Sequence, residues 1–160
     1  MYRDKPVEKP PGLLYHLPMS PEAAFSLGMK YLKSTREYLP KTRGQVHMVC
    51  VGISGKEVLV GYNKYRTGKQ LVYGYPGYSS VHAEFDFYRK ALKRGFEPEY
   101  IIVLGERTNL LKSTRPCKVC SSVLLDLGFK KILFLSENQL VEMDYESFEE
   151  LSAPEEEKTG

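Results

Sequence analysis

Two short stretches constrain this chain more than any other. One is His82-Ala83-Glu84, and the other is Pro116-Cys117-Lys118-Val119-Cys120. One imidazole and two thiolates form a soft-to-borderline ligand set of the kind that suits zinc. Three protein ligands leave one tetrahedral position open, and an open position marks a catalytic rather than a structural zinc. Glu84 stands two residues past the histidine, close to that open position without being a ligand. The fold must therefore bring two distant segments, each at the start of a helix, to one point. The alternative is a zinc site that only stabilises the fold. It needs a fourth ligand, and neither His47 nor Cys50 sits where the pattern would recruit it.

The bulk properties set wide limits. With 160 residues, the chain is long enough for one domain with a sizeable core. Its 42% hydrophobic and 27% charged content is ordinary for a globular protein. A net charge of +3 is too small to argue for a polynucleotide partner and does not oppose a nucleotide. No apolar run approaches the roughly 18 residues of a membrane span, so no membrane partner is expected. The N-terminus, Met1 to Pro6, lacks the apolar region of a signal peptide. The three cysteines are odd in number, and two fit a metal motif, so a reducing, cytoplasmic setting is expected.

Residues 1–20 are proline-rich and read as an extended arm, with His16 a surface residue. A domain is expected over residues 21–151, and a charged, loose tail over 152–160. Ser20-Pro21-Glu22 starts a helix, and Pro40 closes it. Val46 to Ile53 is an apolar strand, in which His47 is a packed or edge residue and Cys50 a buried small hydrophobe. Ser54-Gly55-Lys56 turns into a second strand, Glu57 to Tyr62. By its own chemistry Asn63 is a turn former. Lys64 to Ser80 is a long loop of the kind that makes lids and binding loops. Its tyrosines, Tyr78 among them, can stack on a base or pack on the body. Lys64 and Arg66 can meet a phosphate or simply face solvent. A helix from about Val81 to Arg94 follows, capped by Ser80. Then come a strand from Glu99 to Gly105, a polar loop from Glu106 to Arg115, and a helix from Cys117 to about Leu127. Strands at Lys130 to Leu135 and Leu140 to Met143 and a short helix from Tyr145 end the pattern. A hairpin followed by alternating helices and strands gives an α/β domain, a mixed sheet with helices on both faces.

The H-x-E…P-C-x-x-C pattern is the signature of zinc nucleobase deaminases. From about Val46 to about Tyr145 the chain resembles the cytidine and deoxycytidylate deaminase superfamily. That resemblance implies a three-layer α/β/α fold with a mixed five-stranded sheet and two metal-bearing helices side by side. It implies that His82, Cys117 and Cys120 hold Zn2+ and that Glu84 carries protons. It also implies that the Asn63 amide binds the sugar and that the backbone at Ala83 touches the base edge. Histidine rather than cysteine at position 82 resembles the deoxycytidylate, tRNA adenosine and polynucleotide-editing branches. The Gly61-Tyr62-Asn63 stretch and the Tyr75 to Tyr78 loop resemble small phage and bacterial enzymes. Arg115 departs from the pattern, where that residue is more often small or acidic, and sits near the pocket. The expected activity is hydrolysis of a cytosine nucleotide or nucleoside, dCMP foremost, by a homo-oligomer. A deaminase of cytosine or adenine in DNA or RNA, and a non-catalytic zinc module, are the alternatives.

Overall fold

The computed structural model of the chain describes residues 19–36, 46–63, 82–107 and 110–153. The N-terminal arm through residue 18, the tail from residue 154, Pro40, and the loop holding Lys64, Arg66, Tyr78 and Ser80 lie outside the described residues. Helix α1 is Pro21–Thr35. Its start follows the sequence signal: the Ser20 hydroxyl accepts from the Ala23 N–H at 3.1 Å, and proline supplies the first helical residue.

Strands β1 (His47–Ser54) and β2 (Glu57–Tyr62) form the hairpin, turning at Gly55 with φ +59°. Helix α2 is Ala83–Arg94, with His82 as its N-cap and Gly95 ending it. Then come β3 (Tyr100–Arg107), β4 (Leu110–Leu111), α3 (Lys118–Leu127), β5 (Lys131–Ser136), β6 (Gln139–Asp144) and α4 (Tyr145–Ser152). The sheet has six strands where five were expected. The difference is β4, inside the stretch read as a polar loop. Leu110 and Leu111 fold back antiparallel on Arg107 and Glu106.

The main strand order is β2-β1-β3-β5-β6. Strand β1 is antiparallel to both neighbours, β3 and β5 are parallel, and β6 returns antiparallel to β5. It follows that β2, β3 and β5 all run the same way and end at one edge of the sheet. Helix α2 follows β2 and α3 follows β3, so both begin near that edge. This topology brings the two halves of the motif together.

Side chains alternate across the sheet and feed two cores. On one face Val49, Val51, Ile102 and Leu104 pack beneath Ala24, Tyr31 and Leu32 of α1. On the other, Cys50, Leu59, Val103 and Phe134 meet Ala83 and Phe87 of α2, Leu124 of α3 and Phe148 of α4. The layers are α/β/α, as the patterning required of strands apolar on both faces. Cys50 is fully buried, and burial pushes its thiol well above the ordinary range. His47 is packed: its Nε2 lies 2.8 Å from the Leu32 carbonyl and 3.0 Å from the Thr35 hydroxyl. Among the described residues, no helix is long and apolar enough to cross a membrane.

Candidate active site

The first turn of α2 lies directly on β2. A Cβ at Gly61 would stand 2.5 Å from the Phe87 nitrogen and 2.7 Å from the Ala83 carbonyl oxygen. Only glycine allows this backbone-to-backbone approach, so Gly61 sets the depth of α2 and of the residues at its start. The start of α3 is set from the other side. Thr114 is buried between β3 and β5, donating its hydroxyl to the Val103 carbonyl at 2.7 Å and accepting from the Leu135 N–H at 3.1 Å. Two residues later comes Pro116, whose carbonyl accepts from the Ser121 hydroxyl at 3.2 Å.

His82 and Cys117 are both N-caps, with extended backbones (ψ 150° and 170°). The His82 Nδ1 lies 3.3 Å from the Cys120 sulfur and 3.7 Å from the Cys117 sulfur. All three donor atoms lie within 4.8 Å of one another. Cys117 Sγ also accepts from the Cys120 N–H at 3.5 Å. Hydrogen bonding to the Cys120 side chain, and then to His82 and the Cys120 N–H, holds the Cys117 thiol down at about 4 against the opposing effect of burial. The bond to Cys117 raises His82, although burial works the other way. Two sulfurs and one imidazole, gathered at the positive ends of two helices, fit a zinc ion. The structure brings together the three residues that the sequence motif named.

Glu84 is 2% exposed, and its Oε1 has no hydrogen-bond partner among the described residues. Burial is the main cause that lifts its carboxyl to about 7. A buried carboxylate oxygen left without a donor is costly, and such exceptions call for an explanation, a bound water or ion or a catalytic role among them. Here an unmatched acceptor stands beside three gathered metal donors.

The other expected site residues divide. Ala83 is buried at the start of α2, with its carbonyl toward Gly61. Asn63 is 5% exposed, and its amide is fastened at the start of β1: Oδ1 accepts from the Met48 N–H at 2.8 Å, and Nδ2 donates to the carbonyl of Val46, just before the strand, at 2.7 Å. Arg115 is exposed and donates to the Leu151 carbonyl at 3.3 Å, which ties the cysteine-bearing loop to the end of α4. Lys64, Arg66 and Tyr78 lie outside the described residues. Sequence reasoning missed Thr114, Asp86 and Lys90. The last two had a legible signal. They stand at the i+3 and i+7 places of the stripe that begins at Ala83, so two charges fall on the face read as buried.

A family model, the cytidine and deoxycytidylate deaminase zinc-binding region, matches residues 25–136. The chain belongs to that family. Membership supports a deaminase, a hydrolase acting on a C–N bond, and its zinc-binding region contains the His-Cys-Cys group described above. A cytidine deaminase from Burkholderia pseudomallei shares the fold at a TM-score of 0.55 and 18% identity, over 77% of this chain and 94% of that one. The dCMP deaminase of cyanophage S-TIM5 aligns at a TM-score of 0.44 and 21% identity, over 71% of this chain and 82% of that one. No curated protein sequence matches the chain.

Proposed function

We propose that the chain is a zinc-dependent hydrolytic deaminase of a cytosine nucleotide or nucleoside, dCMP foremost. One observation carries this reading: Glu84 is buried with an Oε1 that has no partner among the described residues, beside a histidine whose Nδ1 lies 3.3 Å from the Cys120 sulfur. His82, Cys117 and Cys120 would hold the ion. When bound, zinc makes a nucleophile of hydroxide strength available near neutral pH, where bulk water has a pKa of about 15.7.

The chain's own residues do the rest. Water supplies the oxygen that bonds to C4 of the cytosine ring, and the C4–N bond to the exocyclic amine breaks. Glu84 Oε1 takes one proton from water and delivers it to the ring nitrogen N3. It carries the second to the amine, which leaves as ammonia. A carboxyl that both accepts and donates works best near the operating pH, and burial serves that end.

Substrate recognition belongs to the same proposal. With its amide bonded to Met48 and Val46, Asn63 keeps one N–H to offer a sugar hydroxyl, held in place by those two bonds. The backbone at Ala83 meets the base edge, and Arg115, Lys64, Arg66 and Tyr78 are the candidates for phosphate and base. A homo-oligomer in the cytoplasm is the expected setting. Three free cysteines, two of them in the ligand set, favour a reducing compartment.

The test is ammonia release from a panel of cytosine and adenine nucleosides, nucleotides and oligonucleotides, with bound zinc measured alongside. Turnover of dCMP or another cytosine mononucleotide supports the reading, and Glu84→Gln should keep zinc and abolish turnover. Turnover of oligonucleotides alone transfers the activity to nucleic acid. No release from any compound, with four protein ligands on the metal, leaves a structural zinc module.

A further inference from the structure

Beyond the ligands and the carboxylate, α2 carries a buried ion pair that the chemistry above does not use. Lys90 Nζ lies 2.9 Å from Asp86 Oδ2, one helical turn apart, and their side chains are 3% and 2% exposed. Neither charge faces only the other. Asp86 Oδ2 accepts from the backbone N–H of Tyr62 at 3.1 Å, and Lys90 Nζ donates to the carbonyl of Val60 at 3.1 Å. Lys90 also stands 4.9 Å from the centre of the Tyr62 ring.

The two backbone groups identify the arrangement. Strand β2 is the end of the main strand order. The Asn63 N–H goes to the Met48 carbonyl of β1, so by alternation the backbone groups of Val60 and Tyr62 point away from β1. They are the donor and acceptor that a further strand would engage. A helix cannot offer a ladder, but an anion and a cation at i and i+4 offer one acceptor and one donor at a matching separation.

Stability alone is a weak reason for this pair, because a buried ion pair is often no better than an apolar pair of the same volume. It provides direction. The contact at Gly61 fixes how close α2 comes to β2, while apolar contacts, having no direction of their own, resist a slide along the strand less than hydrogen bonds do. Two opposed, directional bonds to successive outward-facing residues stop that slide. They act two residues after Glu84 and immediately before Asn63. We propose that Asp86 and Lys90 are positioning residues that lock the register of the first turn of α2, with His82 and Glu84, against the end of β2. The consequence for turnover rests on the deaminase reading, whereas the consequence for metal binding does not.

The test compares two double variants of the full chain. Asp86→Asn/Lys90→Gln removes both charges but keeps an acceptor for Tyr62 and a donor for Val60. Asp86→Leu/Lys90→Met keeps volume and removes both bonds. Zinc affinity is measured by chelator competition, and kcat and KM with dCMP where the parent turns it over. Folding is checked by circular dichroism. The apolar pair is expected to lose at least tenfold in zinc affinity and in kcat, the usual range for groups that hold ligands in place, with KM changed less. The amide pair should recover most of both. Parental zinc affinity in a folded apolar pair overturns the proposal, as does equal loss in both variants, since that would make charge rather than bond direction the cause. If the apolar pair does not fold, Asp86→Asn/Lys90→Met takes its place. It keeps the Tyr62 bond and drops the Val60 bond, with the same loss expected and the same refutation. If the parent releases no ammonia from dCMP, that bears on the deaminase reading, and the zinc measurements alone decide this proposal.

Discussion

Gly61→Ala is the sharpest perturbation, because the atoms it meets cannot swing aside. The new Cβ would lie 2.5 Å from the Phe87 nitrogen, 2.7 Å from the Ala83 carbonyl oxygen and 2.7 Å from the Phe87 Cα. All three are backbone atoms of α2. Opening the closest approach from 2.5 Å to the 3.4 Å of ordinary contact moves the helix outward by about 0.9 Å. The energetic effect is that of overpacking a well-filled core, about 1–3 kcal/mol. At about 2–4 °C per kcal/mol for a chain of this size, the thermal midpoint falls by several degrees. The chemical effect is larger. The displaced turn carries Glu84 and His82, and a misplacement of about 1 Å can lower turnover about a hundredfold. Differential scanning calorimetry reads the first effect, and ammonia release under saturating substrate at a temperature where the variant is folded reads the second. A variant with the parental midpoint refutes the close packing of α2 on β2. A lowered midpoint with parental kcat refutes the idea that this packing places Glu84.

Other consequences are quickly stated. Burial is the first cause holding His47 below its ordinary 6.5, so the unfolded chain takes up this proton first as pH falls. Stability contributed by the neutral ring is therefore full above about pH 6.5 and lost below it, by linkage. His47→Gln should flatten the urea midpoint across that interval relative to the parent, and parallel curves for the two proteins contradict it. Glu137 sits at φ +50° in the β5–β6 turn. Glu137→Gly should stabilise by about 1 kcal/mol, since a residue with a Cβ is strained there, and a lowered midpoint contradicts this. His82→Ser should raise the stability of the metal-free protein by roughly 1 kcal/mol through a better N-cap, while zinc affinity falls. Chelator-treated samples of both proteins, compared by thermal unfolding, check it.

Legibility in the sequence followed the range of the interactions. Helix α1 was readable because Ser20 and Pro21 are local signals, and β2 because turn and apolar run adjoin it. The gathering of His82, Cys117 and Cys120 was readable although they are distant, since helix-opening motifs carry their own context. Strand β4 was not, because two residues give no alternation and its pairing depends on where β3 ends. Thr114 was invisible for a related reason: its partners, Val103 and Leu135, lie on separate strands that only the folded sheet brings together. Asp86 and Lys90 showed their burial in the apolar stripe of α2 but not their partners. Their partners are backbone groups of β2, the end of the main strand order among the described residues, and only the folded sheet shows which strand stands there. The Asn63 amide illustrates the converse. Its position at the end of β2 was legible, while its bonds to Met48 and Val46 depend on the hairpin register.

The placement of the ligands explains why α2 needs so much support. An N-cap side chain normally accepts from the free N–H groups of the first turn, which stabilises the helix by about 1 kcal/mol. Cys117 does this for α3 while facing His82, so one sulfur serves both the helix and the candidate metal site. His82 occupies the same place on α2 and makes no such bond with its side chain. Its ring is turned toward the two sulfurs instead. The first turn of α2 is thus the one that gives up its own cap, and it is also the turn that carries Glu84, the proposed proton carrier. Its restraint comes from outside the helix end: the glycine contact beneath it and the ion pair gripping the edge of β2 one turn further on. The same first turn of α3, already capped by a ligand, has no comparable buried ion pair among the described residues. Chemistry taken from a helix terminus is compensated by anchorage along the helix body, and that anchorage sits where Gly61, Asp86 and Lys90 are found.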